Sequence, residues 1–161
     1  MSKFKKVGLF TSSVDPEKIF IAKQIEEILN SKGCEVLYDV TFRSNKRSSN
    51  KKTFSSKYLT KNCDLVIAIG GDGTMLSCSR LYGLQEIPIL GINLGRLGFL
   101  TDIAPHELTT KLQEVLSGQY TLDKRFFLET TIKGDRKKYI ALNEVVIHSG
   151  AIAQLIEYDL F

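Results

Sequence analysis

No run of apolar residues in this chain approaches the roughly 20 needed to cross a bilayer as a helix, so no transmembrane span is expected. The basic start, Met1-Ser2-Lys3-Phe4-Lys5-Lys6, is followed by an apolar stretch over 7–11 that is too short for a secretion signal. Cysteine is scarce: Cys34, Cys63 and Cys78 are odd in number and show no close metal-ligand pairing. This argues against a disulfide framework or a zinc site and for buried, reduced thiols in a cytoplasmic protein. Only two histidines are present; His106 reads as a surface residue at a helix start and His148 as a strand-end residue, neither with a chemical role.

Basic charge is also lacking once a single stretch is set aside. Six Lys and Arg and no acidic residue lie within 43–57, so 16 of the 22 basic residues face 18 acidic ones over the rest of the chain. The formal net charge of +4 therefore belongs to one loop and not to a face of the fold. A polyanion-binding arm is one reading of the surrounding stretch 41–62, but Phe42, Phe54 and Tyr58 are its only aromatics, and nucleic acid is not the expected partner. A flexible basic loop over 43–60, beside an anionic nucleotide, is the expectation.

What the chain does contain is an ordinary globular composition, 43% apolar and 25% charged, in 161 residues, which fits one domain or one and a fraction. Residues 5–11 read as a strand. Asp15, Pro16 and Glu17 open a helix with an acceptor at the cap, a proline at the first position and a carboxylate in the first turn. Ile19, Ala22, Ile25, Ile28 and Leu29 give that helix an apolar stripe, and Gly33 ends it. Residues 35–40 form a second strand, and the polar stretch 41–62 reads as a flexible excursion. Further strands over 64–70 and 87–93 alternate with helices up to about 82 and over 105–116. This alternation predicts an α/β fold with a Rossmann-like, largely parallel sheet over 1–120. From about 121 the pattern changes: strands over 126–132 and 138–147, joined at Gly134-Asp135, predict a hairpin that opens an incomplete antiparallel β domain over 121–161.

The chemistry concentrates where Asp64-Leu65-Val66-Ile67-Ala68-Ile69 runs into Gly70-Gly71-Asp72-Gly73-Thr74. A short apolar run ended by glycine reads as a strand buried on both faces, and the glycines then sit at a strand-to-helix turn. Glycines admit close ligand approach, and the helix start offers free N–H groups and partial positive charge to a phosphate. A carboxylate beside a phosphate weakens binding unless it has a task, such as taking a hydroxyl proton. The plainer reading is that Asp72 caps the helix and the glycines make a tight turn. A second glycine-rich loop, Asn93-Leu94-Gly95-Arg96-Leu97-Gly98-Phe99-Leu100-Thr101, follows the next strand. Ligands of such sheets bind beyond the carboxyl ends of the strands, so the two loops are expected to converge.

These two stretches, followed by Ala141-Leu142-Asn143-Glu144-Val145-Val146-Ile147-His148, resemble the NAD kinase family. The Gly-Gly-Asp-Gly-Thr turn alone also resembles those of lipid kinases and phosphofructokinases; the three stretches in this order are specific. The resemblance implies transfer of a phosphoryl group from ATP, with Mg²⁺, to the 2′-hydroxyl of the adenosine ribose of NAD, and homo-oligomerisation of the full-length protein. It implies Asp72 as the general base and Gly70, Gly71, Gly73 and Thr74 as the phosphate-binding turn. Asp72, Gly73, Asn143, Glu144 and Phe99 would contact NAD, and no protein side chains would form a resident metal centre. Neighbouring residues of a strand point to opposite faces, so a bulge or strand end is needed for both Asn143 and Glu144 to reach a ligand. Phe99 is either a core aromatic or a wall of the base pocket, and Arg96 reads as solvated. The family's usual length is nearer twice this chain, and these 161 residues alone are expected to show weak or no catalysis for want of one pocket wall. The alternatives are another kinase with the same turn, of lipid or sugar, and a non-catalytic nucleotide-binding fragment.

Overall fold

The structure, a computed structural model, describes residues 2–43, 52–95, 98–101, 103–148 and 157. The chain divides into two compact units, 1–124 and 125–161. In the first unit the order is β1 (Lys6–Phe10), α1 (Pro16–Ser31), β2 (Glu35–Asp39), β3 (Thr53–Phe54), α2 (Ser56–Asn62), β4 (Leu65–Ile69), α3 (Asp72–Tyr82), β5 (Ile89–Ile92) and α4 (Leu108–Ser117). All five strands are parallel, in the order β3-β2-β1-β4-β5. The expected α/β class with a parallel sheet is thus what the chain forms.

Strand β4 is buried along its whole length, and its alternation divides the core in two. Leu65, Ile67 and Ile69 join Val7 and Leu9 of β1 under α1 and α4. Val66 and Ala68 join Phe10 and Leu37 under Leu59 of α2 and Cys78 and Tyr82 of α3. The start of α1 is as the sequence predicts: the Asp15 carboxylate accepts the Lys18 N–H at 2.9 Å. That bond, with the Lys18 ammonium, holds the Asp15 carboxyl below the usual carboxylate range. The inward stripe of α1 is Ile21, Ala22, Ile25 and Leu29, so Ile19, expected inside, faces out and Ile21 takes its place.

The flexible loop expected over 43–60 requires correction. Residues 44–51 lie outside the described residues, but β3 and α2 occupy 53–54 and 56–62. Ser55 caps α2 by accepting the Tyr58 N–H, and Leu59 is its one fully buried side chain. Burying a leucine contributes about 2 kcal/mol, and here the pocket is made by a glycine. A Cβ on Gly8 of β1 would stand 2.9 Å from Leu59 Cδ2 and 3.1 Å from Cys63 Sγ. The helix therefore lies directly on the β1 backbone, and a seven-residue helix with one anchor has too thin a stripe to be read from periodicity.

A buried carboxylate ties this face together. Asp39, fully buried at the end of β2, accepts the Thr41 N–H at 2.8 Å, the Ser56 hydroxyl at 2.9 Å and the Tyr82 hydroxyl. Burial, and then the bond to Asp39, push the Tyr82 hydroxyl well above the usual phenol range. Tyr82→Phe removes a donor from a buried carboxyl group and is expected to cost about 2 kcal/mol, or roughly 6 °C in Tm. A thermal melt within 1 °C or so of the wild type would show that Asp39 is held adequately by its other donors.

The second unit contains a hairpin of β6 (Leu128–Thr131) and β7 (Lys138–Ala141), antiparallel, with Leu128 opposite Ala141 and Thr131 opposite Lys138. Its turn uses Gly134 at φ +91°, and Asp135 accepts the Lys137 N–H and the Tyr139 hydroxyl. The strands are shorter than expected. β7 ends at Ala141 and not at 147, because Leu142 and Asn143 enter a bend and the residues from 143 to 148 are exposed.

Candidate functional site

In this sheet the chain steps from β1 to β2 across α1 on one face, then returns across α2 to β4 and goes on to β5 across α3 on the other. The point where the winding reverses lies between β1 and β4, and the carboxyl ends of those two strands are where such sheets bind ligands. Thr11 and Ser12 follow β1 there, and Gly70 and Gly71 follow β4. Gly70 takes φ +150° and its N–H donates to the Ile92 carbonyl of β5. A Cβ at Gly70 would approach Thr74 Cβ to 2.9 Å, so the glycine permits both the backbone angle and the closeness of Thr74. Gly71 is the cap residue of α3 and carries no side-chain acceptor, while Gly71 and Gly73 are both exposed. The turn thus presents bare backbone at the start of an 11-residue helix. The Thr74 hydroxyl is bonded to the Ser12 hydroxyl at 2.7 Å, and the Thr11 hydroxyl donates to the Ile69 carbonyl at 3.0 Å.

Asp72 is the first residue of α3, one position past the cap, so the plain reading of it as the helix cap is corrected. Its half-buried carboxylate reaches across to the loop after β5. The Phe99 N–H donates to Oδ2 at 2.9 Å and the Leu100 N–H to Oδ1 at 3.1 Å. Both oxygens thus receive a backbone donor, which fixes the plane of the carboxylate and leaves lone pairs for a further partner. The loop itself is pinned at its ends. Ile103 bridges in parallel to Ile92, and a Cβ on Gly91 would come within 3.0 Å of Thr101 Cα. Asn93, buried, turns the loop by accepting the Gly95 N–H on its side-chain oxygen. The two glycine-rich loops do converge in this unit, joined by the carboxylate of Asp72.

Gly70, Gly71, Asp72, Gly73 and Thr74 form one turn, and the backbone of Phe99 lies against it. The Phe99 side chain is 96% exposed, which excludes the core alternative. Asn143 and Glu144 belong to the second unit, exposed and beyond the end of β7, so the strand-face conflict between them does not arise. Arg96 lies outside the described residues. Gly98 was legible only as part of a motif. A Cβ there would stand 2.6 Å from Asp72 Cγ, so this glycine is what lets the loop receive the carboxylate. Ser12 carried no sequence signal, because a serine in a loop after a strand is ordinary. Among the described residues no three His, Cys, Asp or Glu side chains are grouped to hold a metal ion, and no helix is long and apolar enough to cross a membrane.

The sheet is thus of the doubly wound parallel α/β class, with a glycine-rich strand-to-helix turn at its switch point, where such sheets bind ligands. Residues 7–120 match the family model described as the ATP-NAD kinase N-terminal domain. The chain therefore belongs to the ATP-NAD kinase family. It is 38% identical over 164 residues to an NAD kinase of Teredinibacter turnerae, across 100% of this chain and 56% of that protein. It is 36% identical to an NAD kinase of Azotobacter vinelandii, with the same coverages. A 106-residue stretch is 50% identical to an NAD kinase of Tolumonas auensis, covering 64% of this chain and 36% of that one. The chain thus spans about half the length of the curated relatives it matches. Among solved structures, yeast NADH kinase complexed with NADH shares the fold at a TM-score of 0.67 and 21% identity, over 87% of this chain and 49% of that one.

Proposed function

We propose that the protein is an NAD kinase, transferring a phosphoryl group from ATP, taken up as its Mg²⁺ complex, to the 2′-hydroxyl of the adenosine ribose of NAD. The observation that carries this reading is the clasp of Asp72 between two glycine-rich loops, within a chain of the ATP-NAD kinase family. Asp72 accepts the proton of the ribose hydroxyl as that oxygen attacks. With both carboxylate oxygens already oriented by N–H donors, no side-chain motion is needed to place it. Gly70, Gly71, Gly73 and Thr74 shape the turn against which the transferred phosphoryl lies, its backbone N–H groups offsetting negative charge. Mg²⁺ on the ATP phosphates neutralises further charge and is part of the substrate. Phe99 walls the base pocket, its exposed ring free to take a stacked partner. Gly73, Asn143 and Glu144 contact NAD, the latter two on the strength of the family resemblance, which is also what supports homo-oligomerisation of the full-length protein. Three free cysteines favour a reducing compartment, the cytoplasm. Membership of the family over 7–120 favours this reading over a lipid or sugar kinase with a similar turn.

The test is to titrate the chain with NAD and to follow NADP formation from NAD and MgATP with an NADP-specific coupled assay. Binding of NAD with turnover, even weak, establishes the activity in these 161 residues. Binding without turnover assigns the chain to the alternative of a nucleotide-binding piece. Absence of both overturns the proposal.

A further inference from the structure

The β4–α3 turn is held from both flanks by different chemistry. On the β5 side the Asp72 carboxylate takes the N–H groups of Phe99 and Leu100. On the β1 side the contacts are hydroxyls: Thr11 to the carbonyls of Ile69 and Ser13, and Ser12 to Thr74 at 2.7 Å. Two hydroxyls joined by one hydrogen bond carry two hydrogens, one between them and one left to donate elsewhere. Thr74 is only 5% exposed and its side chain is crowded against Gly70, whereas Ser12 is exposed. Either hydroxyl can donate in this pair; with Thr74 donating inside it, the outward hydrogen belongs to Ser12, the exposed partner. A hydroxyl that accepts one hydrogen bond is polarised into a better donor for the next.

We propose that Ser12 is a further binding residue of this site and donates to a phosphate oxygen of the phosphoryl donor. The inference rests on the kinase reading above and adds the side from which the donor enters. In a displacement with attacking and leaving oxygens in line, the two lie on opposite sides of the transferred phosphorus. Asp72, which takes the proton of the attacking hydroxyl, is turned toward the loop after β5. The leaving phosphates then extend toward β1, the neighbour of β4 on its other side, where Ser12 stands. This places Ser12 with the donor and not with NAD.

The experiment is calorimetric titration of the wild type, Ser12→Ala and Ser12→Thr with MgATP, with inorganic tripolyphosphate and with NAD. A hydrogen bond to a charged acceptor corresponds to a loss of about tenfold in affinity when removed. Ser12→Ala is expected to weaken MgATP and tripolyphosphate by that factor, to leave NAD within twofold, and to be rescued by Ser12→Thr. MgATP weakened with tripolyphosphate unchanged would overturn a phosphate contact. Affinities for both within twofold of wild type, or an equal loss for NAD, would overturn the assignment to the donor side. A wild type that binds NAD but neither phosphate ligand overturns this inference and leaves the NAD site standing. Failure to bind NAD at all removes the kinase reading and this inference with it.

Discussion

Asp72→Asn is expected to lower NADP formation on the order of 10³-fold while changing NAD affinity only a few-fold. The substitution keeps size and shape but removes the group that takes the hydroxyl proton. It also disturbs the clasp. The Phe99 and Leu100 N–H groups each point at a carboxylate oxygen, and an asparagine offers one oxygen and one NH₂, so one of the two backbone donors must face another donor. Hydrogen exchange at those two amides should therefore speed up in the variant whether or not the chain turns over. A fall in kcat with KM for NAD nearly fixed is the signature of a group that acts in the transition state. Unchanged turnover would show that Asp72 is not the base, and unchanged amide exchange would show that the clasp does not persist in solution.

Gly98→Ala is expected to lower turnover by at least about 10²-fold without touching a chemical group, because a misplacement near 1 Å at a reacting centre is enough for that. The added Cβ would stand 2.6 Å from Asp72 Cγ and 2.7 Å from Oδ2, inside any real carbon contact. The neighbour it meets is a short, half-buried side chain held at both oxygens, so relief requires the carboxylate to rotate away or the loop to lift. Either movement breaks the Phe99 and Leu100 bonds together. A thermal melt separates this effect from unfolding. Gly98 lies on the loop and outside the two buried clusters, so the variant should melt close to the wild type while losing activity. Turnover within twofold of wild type would mean that the loop moves freely and that Asp72 does not depend on it.

The two predictions concern one contact seen from its two ends, and they show what could and could not be read along the chain. Strand β4 and the turn after it were legible because their signals are local. Five buried apolar residues followed by glycines admit few structures, and a carboxylate among glycines is unusual enough to suggest a task. The start of α1 was legible for the same reason, since Asp15, Pro16 and Glu17 act within one turn of each other. Helix α2 was not, because the feature that buries Leu59 is the missing side chain of Gly8, 51 positions earlier in the chain. Ile19 falls outside the buried stripe and Ile21 inside it because an apolar stripe fixes a helix only to within a residue or so of rotation, and the sheet beneath it chooses the phase. The end of β7 moved from 147 to Ala141 because an apolar run signals burial or pairing, and Val145, Val146 and Ile147 are exposed and have no strand partner among the described residues.

By itself the sequence determined the alternation of strands and helices, the parallel class of the sheet, the position of the glycine-rich turn and the family to which the chain belongs. Each of these is a property of residues close together in the chain or of motifs recurring in order. Only the tertiary structure decided that Asp72 faces away from its own helix start to accept two N–H groups 27 and 28 positions later, and that Ser12 meets Thr74 across 62 positions. Those contacts depend on the strand order, which puts β1 on one side of β4 and β5 on the other. That order is set by which faces the helices can bury, and a side chain's direction across a gap between strands leaves no periodic trace in the chain.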